Sequence, residues 1–155
     1  MKKLLIILAV FFTLGLVAEA QPKNFLRVGV GTSNSVTYES VEFGTIAKKN
    51  RISVVLETYN DANNFTFKED REFYGGIKYT RALPVGKNLD FLISGTGWVN
   101  FDSDMDMIIE PGLGAALNVS KNIEVVASIS SPIYQNTQPL KPMYLKSGLG
   151  LQIRL

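Results

Sequence analysis

Four glutamates, Glu42, Glu57, Glu110 and Glu124, stand among small residues in segments of alternating polarity, and they are the groups most able to do chemistry. Paired carboxylates can work as general acid and base when their environments hold one protonated and the other ionised. The partners that would turn them into a nucleophilic centre are missing. The 155-residue sequence has no histidine and no cysteine, so neither a Ser-His nor a Cys-His dyad can be built. The run Asp102-Ser103-Asp104-Met105-Asp106 spaces three carboxylates in the manner of a calcium loop. It lacks the glycine that follows in an EF-hand, and the twelfth position, where a bidentate carboxylate belongs, is Leu113. It reads as a solvated acidic loop tip. The sequence contains no Gly-rich phosphate loop and no metal-ligand cluster, so the expectation is a protein that is not an enzyme and uses no cofactor or metal. In that reading the glutamates are salt-bridged inside a packed interior.

The segments that carry these glutamates define that interior. Met143 to Leu155 alternates Met143, Leu145, Ser147, Leu149, Leu151, Ile153 and Leu155 with Tyr144, Lys146, Gly148, Gly150, Gln152 and Arg154. A period of two marks a β-strand with one apolar and one polar face. Tilted by about 40°, a strand of this length crosses roughly 25–30 Å of hydrocarbon. Seven earlier segments repeat the pattern: Phe25–Thr32, Tyr38–Ala47, Arg51–Thr58, Glu72–Arg81, Leu89–Val99, Met107–Asn118 and Ile123–Ser131. The second has an irregular first half that predicts a bulge or ragged start. Pro111 in the sixth predicts a bulge or a displaced start, because it cannot donate to a ladder. No segment holds a 3.6-residue period over a useful length, so the chain is all-β.

The connections alternate in length. Short ones, Lys48–Asn50, Leu83–Asn88 and Val119–Asn122, contain a Lys-Asn pair, and a further pair, Lys23-Asn24, precedes the first strand. The others are Asn60–Asp70, Asn100–Asp106, Pro132–Pro142 and the brief Ser33–Ser35. Short turns at one end and longer loops at the other describe an up-and-down barrel of eight antiparallel strands, with both termini at the short-turn end. Residues 1–20 are set apart from it. Lys2 and Lys3, the apolar run Leu4–Val17 and Ala18-Glu19-Ala20 form an export signal, cleaved near Ala20 to leave Gln21 first. The domain division is therefore 1–20 signal peptide and 21–155 barrel.

Alternation alone also fits a soluble lipocalin-like barrel that encloses a small apolar ligand. The polar face discriminates, because a soluble exterior is dense in Lys, Glu and Asp. Here that face is mainly Gly, Ser, Thr and Ala, with Arg27, Glu42, Glu57, Lys78, Glu110, Glu124 and Arg154 as occasional charges of both signs. Such a face suits the crowded lumen of an eight-stranded barrel, which leaves no aqueous channel for solutes. Phe73, Tyr79 and Phe91 on the apolar face fall near strand ends, where interfacial aromatic girdles sit.

On these grounds the chain resembles the small eight-stranded outer-membrane β-barrels of Gram-negative bacteria, the OmpX-like and OmpA-transmembrane-domain-like type. The resemblance covers everything after the signal. Its most specific element is Lys146-Ser147-Gly148-Leu149-Gly150-Leu151-Gln152-Ile153, which fits the family's C-terminal assembly signal through Lys146, Gly148, Leu151 and Ile153. The family usually ends in an aromatic residue, whereas this chain ends in Leu155. The resemblance implies outer-membrane localisation, with outer-membrane lipid and the barrel-assembly machinery as partners. The near-neutral charge of +2 argues against nucleic acid. A non-enzymatic structural or surface-interaction role follows, in a monomer whose loops would carry any surface partner; a narrow channel is the other membrane reading.

Overall fold

The computed structural model describes residues 22–33, 36–60, 72–100, 107–131, 133–134 and 145–155. The expected signal peptide, the acidic run 102–106 and the loop stretches 61–71 and 135–144 lie outside them. The strands are β1 Lys23–Ser33, β2 Val36–Ala47, β3 Asn50–Asn60, β4 Glu72–Pro84, β5 Leu89–Asn100, β6 Met107–Asn118, β7 Ile123–Ser130, β8 Ile133–Tyr134 and β9 Lys146–Arg154. All pairings are antiparallel, and β1 pairs with both β2 and β9, which closes the sheet on itself. The two residues of β8 pair with β6 beyond the end of β7, so nine segments build eight staves. The fold is a closed eight-stranded up-and-down barrel.

The register sets the barrel's size. Stepping across paired residues from Lys23 through Ile46, Arg51, Thr80, Ser94, Gly112, Ser130 and Lys146 returns to β1 at Ser33, ten residues further along. With a rise of ~3.3 Å per residue and ~4.8 Å between strands, that shear tilts eight strands by about 40°. A barrel of this size has room inside for side chains and little else.

Alternation then sorts every residue. Val28, Val41, Val54, Ile93, Leu113, Val125 and Leu149 face outward and are exposed, Leu149 at 62%. Glu124 and Gln152 face inward at 0% exposure. A soluble lipid-binding barrel has the opposite arrangement, so the lipocalin-like alternative does not describe this fold. Two apolar clusters do lie inside, Ala82, Leu92, Ala116 and Val126 in one and Val55, Trp98 and Ile108 in the other.

Two local expectations are corrected. β2 starts at Val36 and pairs without interruption from Ser33↔Val36 to Lys23↔Ile46, so it has neither bulge nor ragged start. Its irregular-looking first half alternates Val36, Tyr38 and Ser40 inward with Thr37, Glu39 and Val41 outward, and Tyr38 hides the pattern by being a large aromatic in the lumen. Pro111 sits in unbroken register opposite Gly95, so β6 is neither bulged nor displaced on that side. The missing N–H is accommodated on the other side. There the ladder stops at Gly112↔Ser130, resumes at Ile109↔Ile133, and retains the bond from Ser131 N–H to the Pro111 carbonyl at 3.2 Å.

The β2–β3 hairpin turns in two residues, Lys48 and Lys49, between the paired Ala47 and Asn50, and Lys48 has φ of 57°. Tight hairpins want positive φ in the loop, a region that costs an ordinary L-residue about 1–2 kcal/mol. Lys48→Gly is expected to stabilise the barrel by roughly 0.5–1 kcal/mol, the strain relief being partly offset by glycine's freedom in the unfolded chain. A higher urea midpoint in detergent micelles is the expected readout; an unchanged or lower midpoint would contradict it.

The lumen as candidate functional site

Most of the inward charges among the described residues gather into two clusters, separated by a waist of small residues. Nearer the short-turn end, β1, β2, β3, β4, β7 and β9 contribute Arg27, Glu42, Arg51, Lys78, Glu124, Gln152 and Arg154. Arg27 Nη1 donates to Glu42 Oε2 at 2.8 Å and its Nη2 to Gln152 Oε1 at 2.6 Å. Arg51 Nη1 donates to Glu124 Oε2 at 2.7 Å and to Gln152 Oε1 at 3.1 Å. Gln152 Nε2 returns a bond to Glu124 Oε2 at 2.7 Å. Ser53 Oγ donates to Glu42 Oε1 at 2.7 Å, Lys78 Nζ lies 3.5 Å from Glu42 Oε2, and Arg154 pairs with Glu124 Oε1. Gln152 is the hinge of this network, because its amide accepts from two guanidiniums and donates to the carboxylate that one of them holds.

Towards the far end, Lys146 enters from β9 into a cage. Its Nζ lies 2.7 Å from Glu57 Oε2 and 2.9 Å from Glu110 Oε2. The rings of Tyr38, Trp98 and Tyr59 surround it at 4.9, 5.0 and 5.4 Å from their centroids. Two of those rings are themselves tied down, and Glu110 takes a further bond from a serine. Trp98 Nε1 donates to Glu110 Oε2 at 3.0 Å, Tyr59 O–H to Glu57 Oε2 at 2.8 Å, and Ser130 O–H to Glu110 Oε1 at 2.7 Å. One ammonium thus satisfies two carboxylates and three aromatic faces, with cation–π attraction added to charge-assisted bonds. Between the clusters, Gly29, Ser40, Ser94, Thr96, Ser128 and Gly148 help line a cavity of about 50 Å³. That is room for a few water molecules and no more.

The seven charges expected inside, Arg27, Glu42, Glu57, Lys78, Glu110, Glu124 and Arg154, all point into this lumen. Sequence reasoning did not count Arg51 and Lys146 among them, nor Gln152. Parity could have found all three, because Arg51 shares its face with Ser53 and Lys146 and Gln152 share theirs with Gly148 and Arg154. The residues matching an assembly signal divide by the same rule. Lys146 and Gly148 face the lumen, and Leu151, Ile153 and Leu155 are exposed on the outer wall or at its edge. Gly148 has a packing role in the folded barrel, since the Tyr38 hydroxyl occupies the place where its Cβ would be.

No protein-family model matches the sequence, and no curated protein matches it. Solved structures do match in shape. The N-terminal β-barrel domain of Pseudomonas aeruginosa OprF superposes with a TM-score of 0.66 at 12% identity, over 88% of this chain and 100% of that one. A de novo designed transmembrane β-barrel gives 0.65 at 14% identity, over 89% and 100%. Neisserial surface protein A gives 0.56 at 9% identity, over 86% and 96%. The chain has the fold of the small eight-stranded transmembrane β-barrels, a likeness of architecture at identities that say nothing about activity.

Removing one member of a buried ion pair costs about 3–5 kcal/mol, because the partner stays buried and uncompensated. Lys146→Met is expected to lose that much stability, with Glu57 and Glu110 left facing each other. Adding Glu57→Gln and Glu110→Gln to the same chain should restore most of it; failure of this rescue in urea unfolding would refute the cage as drawn. Gly148→Ala should cost about 1–3 kcal/mol through its clash with Tyr38. Tyr38→Phe should relieve the clash, since the next ring atom, Cζ, stands at 3.4 Å. A double variant no more stable than Gly148→Ala would show that the glycine matters for another reason.

Proposed function

We propose that the chain is an integral outer-membrane barrel of a Gram-negative bacterium, exported by a signal peptide cleaved near Ala20. Its role in this reading is non-enzymatic, structural or surface-interacting. The observation that carries the reading is the inside-out polarity of the wall. Outward Leu, Val, Ile and Phe side chains are exposed, while inward arginines, lysines and glutamates are buried in ion pairs. In water that arrangement would leave an apolar belt unsolvated around the whole molecule; in a bilayer it is the stable one. The outward aromatics Phe73, Tyr79 and Phe91 suit an interfacial girdle.

A non-enzymatic role is supported by how the lumen carboxylates are used. Each of the four glutamates accepts charge-assisted bonds from a cation inside the barrel, so none stands as an unengaged base beside a nucleophile. Lys146 with Gly148, Leu151, Ile153 and Leu155 is proposed as the segment the barrel-assembly machinery reads, and the protein as a monomer in outer-membrane lipid. Contacts with any surface partner fall to the loops, where sequence is least constrained by the wall.

The test is cell fractionation with a heat-modifiability gel. The mature protein should sediment with the outer membrane and migrate differently before and after boiling. A protein that stays soluble without detergent and shows no mobility shift sinks the membrane reading. Planar bilayers separate the plugged barrel from a narrow channel: correctly folded protein should produce no discrete conductance steps, and reproducible steps would favour the channel.

A further inference from the structure

The short-turn end carries a feature that the lumen does not explain. The β4–β5 and β6–β7 turns are copies of one another: Val85-Gly86-Lys87-Asn88-Leu89 and Val119-Ser120-Lys121-Asn122-Ile123. In the first, the Val85 and Gly86 N–H groups share the Leu89 carbonyl at 3.0 and 3.1 Å. In the second, Val119 and Ser120 share the Ile123 carbonyl at 3.0 and 3.2 Å. The shared geometry puts an exposed valine, at 68% and 62%, two residues before an exposed lysine. The β2–β3 hairpin exposes Lys48 and Lys49 at the same end, and exposed Lys23 opens β1. Exposed lysines therefore stand at the start of β1 and at all three short turns.

Acidic side chains at that end turn inward. Asp90 is half-buried on the lumen face and Glu124 is fully buried against Arg51 and Arg154. The opposite sign prevails elsewhere. Outward Glu39 lies near the far end of β2, and the sequence joining β5 to β6 carries Asp102, Asp104 and Asp106. A merely solvated turn gains nothing from a valine held largely bare. Beside a lipid surface, valine reaches the acyl boundary while lysine lays its stem along apolar surface and lifts its ammonium to a phosphate.

We propose that the short-turn end is a cationic collar that binds the anionic phospholipid headgroups of the leaflet on that side. The collar rests on the membrane reading above and adds a lipid class and a side to it. Its contacts are electrostatic at Lys49, Lys87 and Lys121, and apolar at Val85 and Val119.

The experiment folds the mature chain into vesicles of phosphatidylcholine alone and of phosphatidylcholine with a minority of phosphatidylglycerol, and follows urea unfolding in both. The folded-to-unfolded ratio should rise in the anionic vesicles by about fivefold per engaged lysine, and the gain should shrink at high salt. The variant Lys49→Gln/Lys87→Gln/Lys121→Gln should fold equally well in neutral vesicles and lose most of the gain. Val85→Ser/Val119→Ser should weaken the barrel in both lipids while keeping the gain. Equal stability of the parent chain in the two vesicles overturns the collar, as does a triple variant that keeps the whole gain. Lysine-dependent binding to isolated peptidoglycan without any lipid gain also overturns it, in favour of a polymer partner. A parent chain that shows no heat-modifiable form even in neutral vesicles fails at the membrane reading itself, and the collar falls with it.

Discussion

Closure is the constraint on which everything else in this barrel depends. Backbone groups facing hydrocarbon find no water to bond, so a sheet that crosses a membrane can leave no open edge. Here the edge is removed by the β1–β9 ladder, which runs from Phe25↔Arg154 to Ser33↔Lys146. Closing eight strands with a shear of ten leaves a lumen of one size, and the inward side chains must fill it. Glycine appears where the filling is tight: a Cβ at Gly44 would meet Ser53, and one at Gly31 or Gly148 would meet Tyr38. The large ring and the two glycines are one packing decision spread over β1, β2 and β9.

A polar filling brings its own demand, because each charge withdrawn from water must be compensated. The two clusters meet it unequally. Arg27, Arg51, Lys78 and Arg154 surround Glu42 and Glu124, whereas Lys146 alone serves Glu57 and Glu110. The excess is cationic near the short turns and anionic towards the far end, so each cluster lies in a field that favours the other. The network also defends the register. A slip of one residue in any strand would turn its charged side chains into lipid and its valines and leucines into the lumen. The ion pairs contribute more to uniqueness of the fold than to its net stability, since burial already cost most of what pairing returns.

Parity made most of this legible. The period of two put Arg27, Glu42, Glu57, Lys78, Glu110, Glu124 and Arg154 on one face, and the lengths of the connections put the strands in order. Other features depend on distances around the barrel and not along the chain. Nothing local tells that Arg51 meets Glu124, 73 residues away, or that Lys146 meets Glu57, 89 residues away. Those partners follow from the shear, which is a property of the closed ring. Pro111 misled for a similar reason. Along the chain its missing donor points to a defect of β6, but it falls beside the break between β7 and β8, where the ladder is already interrupted.

The likeness to a designed barrel at 14% identity is the most instructive of the structural matches. A designed chain shares no ancestor with this one, so the architecture is reached without common descent. What the wall and lumen explain is therefore how the chain becomes a barrel, and any individuality has to lie where those rules are silent. The turns satisfy that condition. Closing a hairpin requires the main-chain bonds of the Val85–Leu89 and Val119–Ile123 loops, but it does not require valine at the bare position or lysine two residues later. That both copies make the same surplus choice, at an end where Glu42 and Glu124 are already held by arginines, sets the short-turn end apart as a surface with work beyond closure.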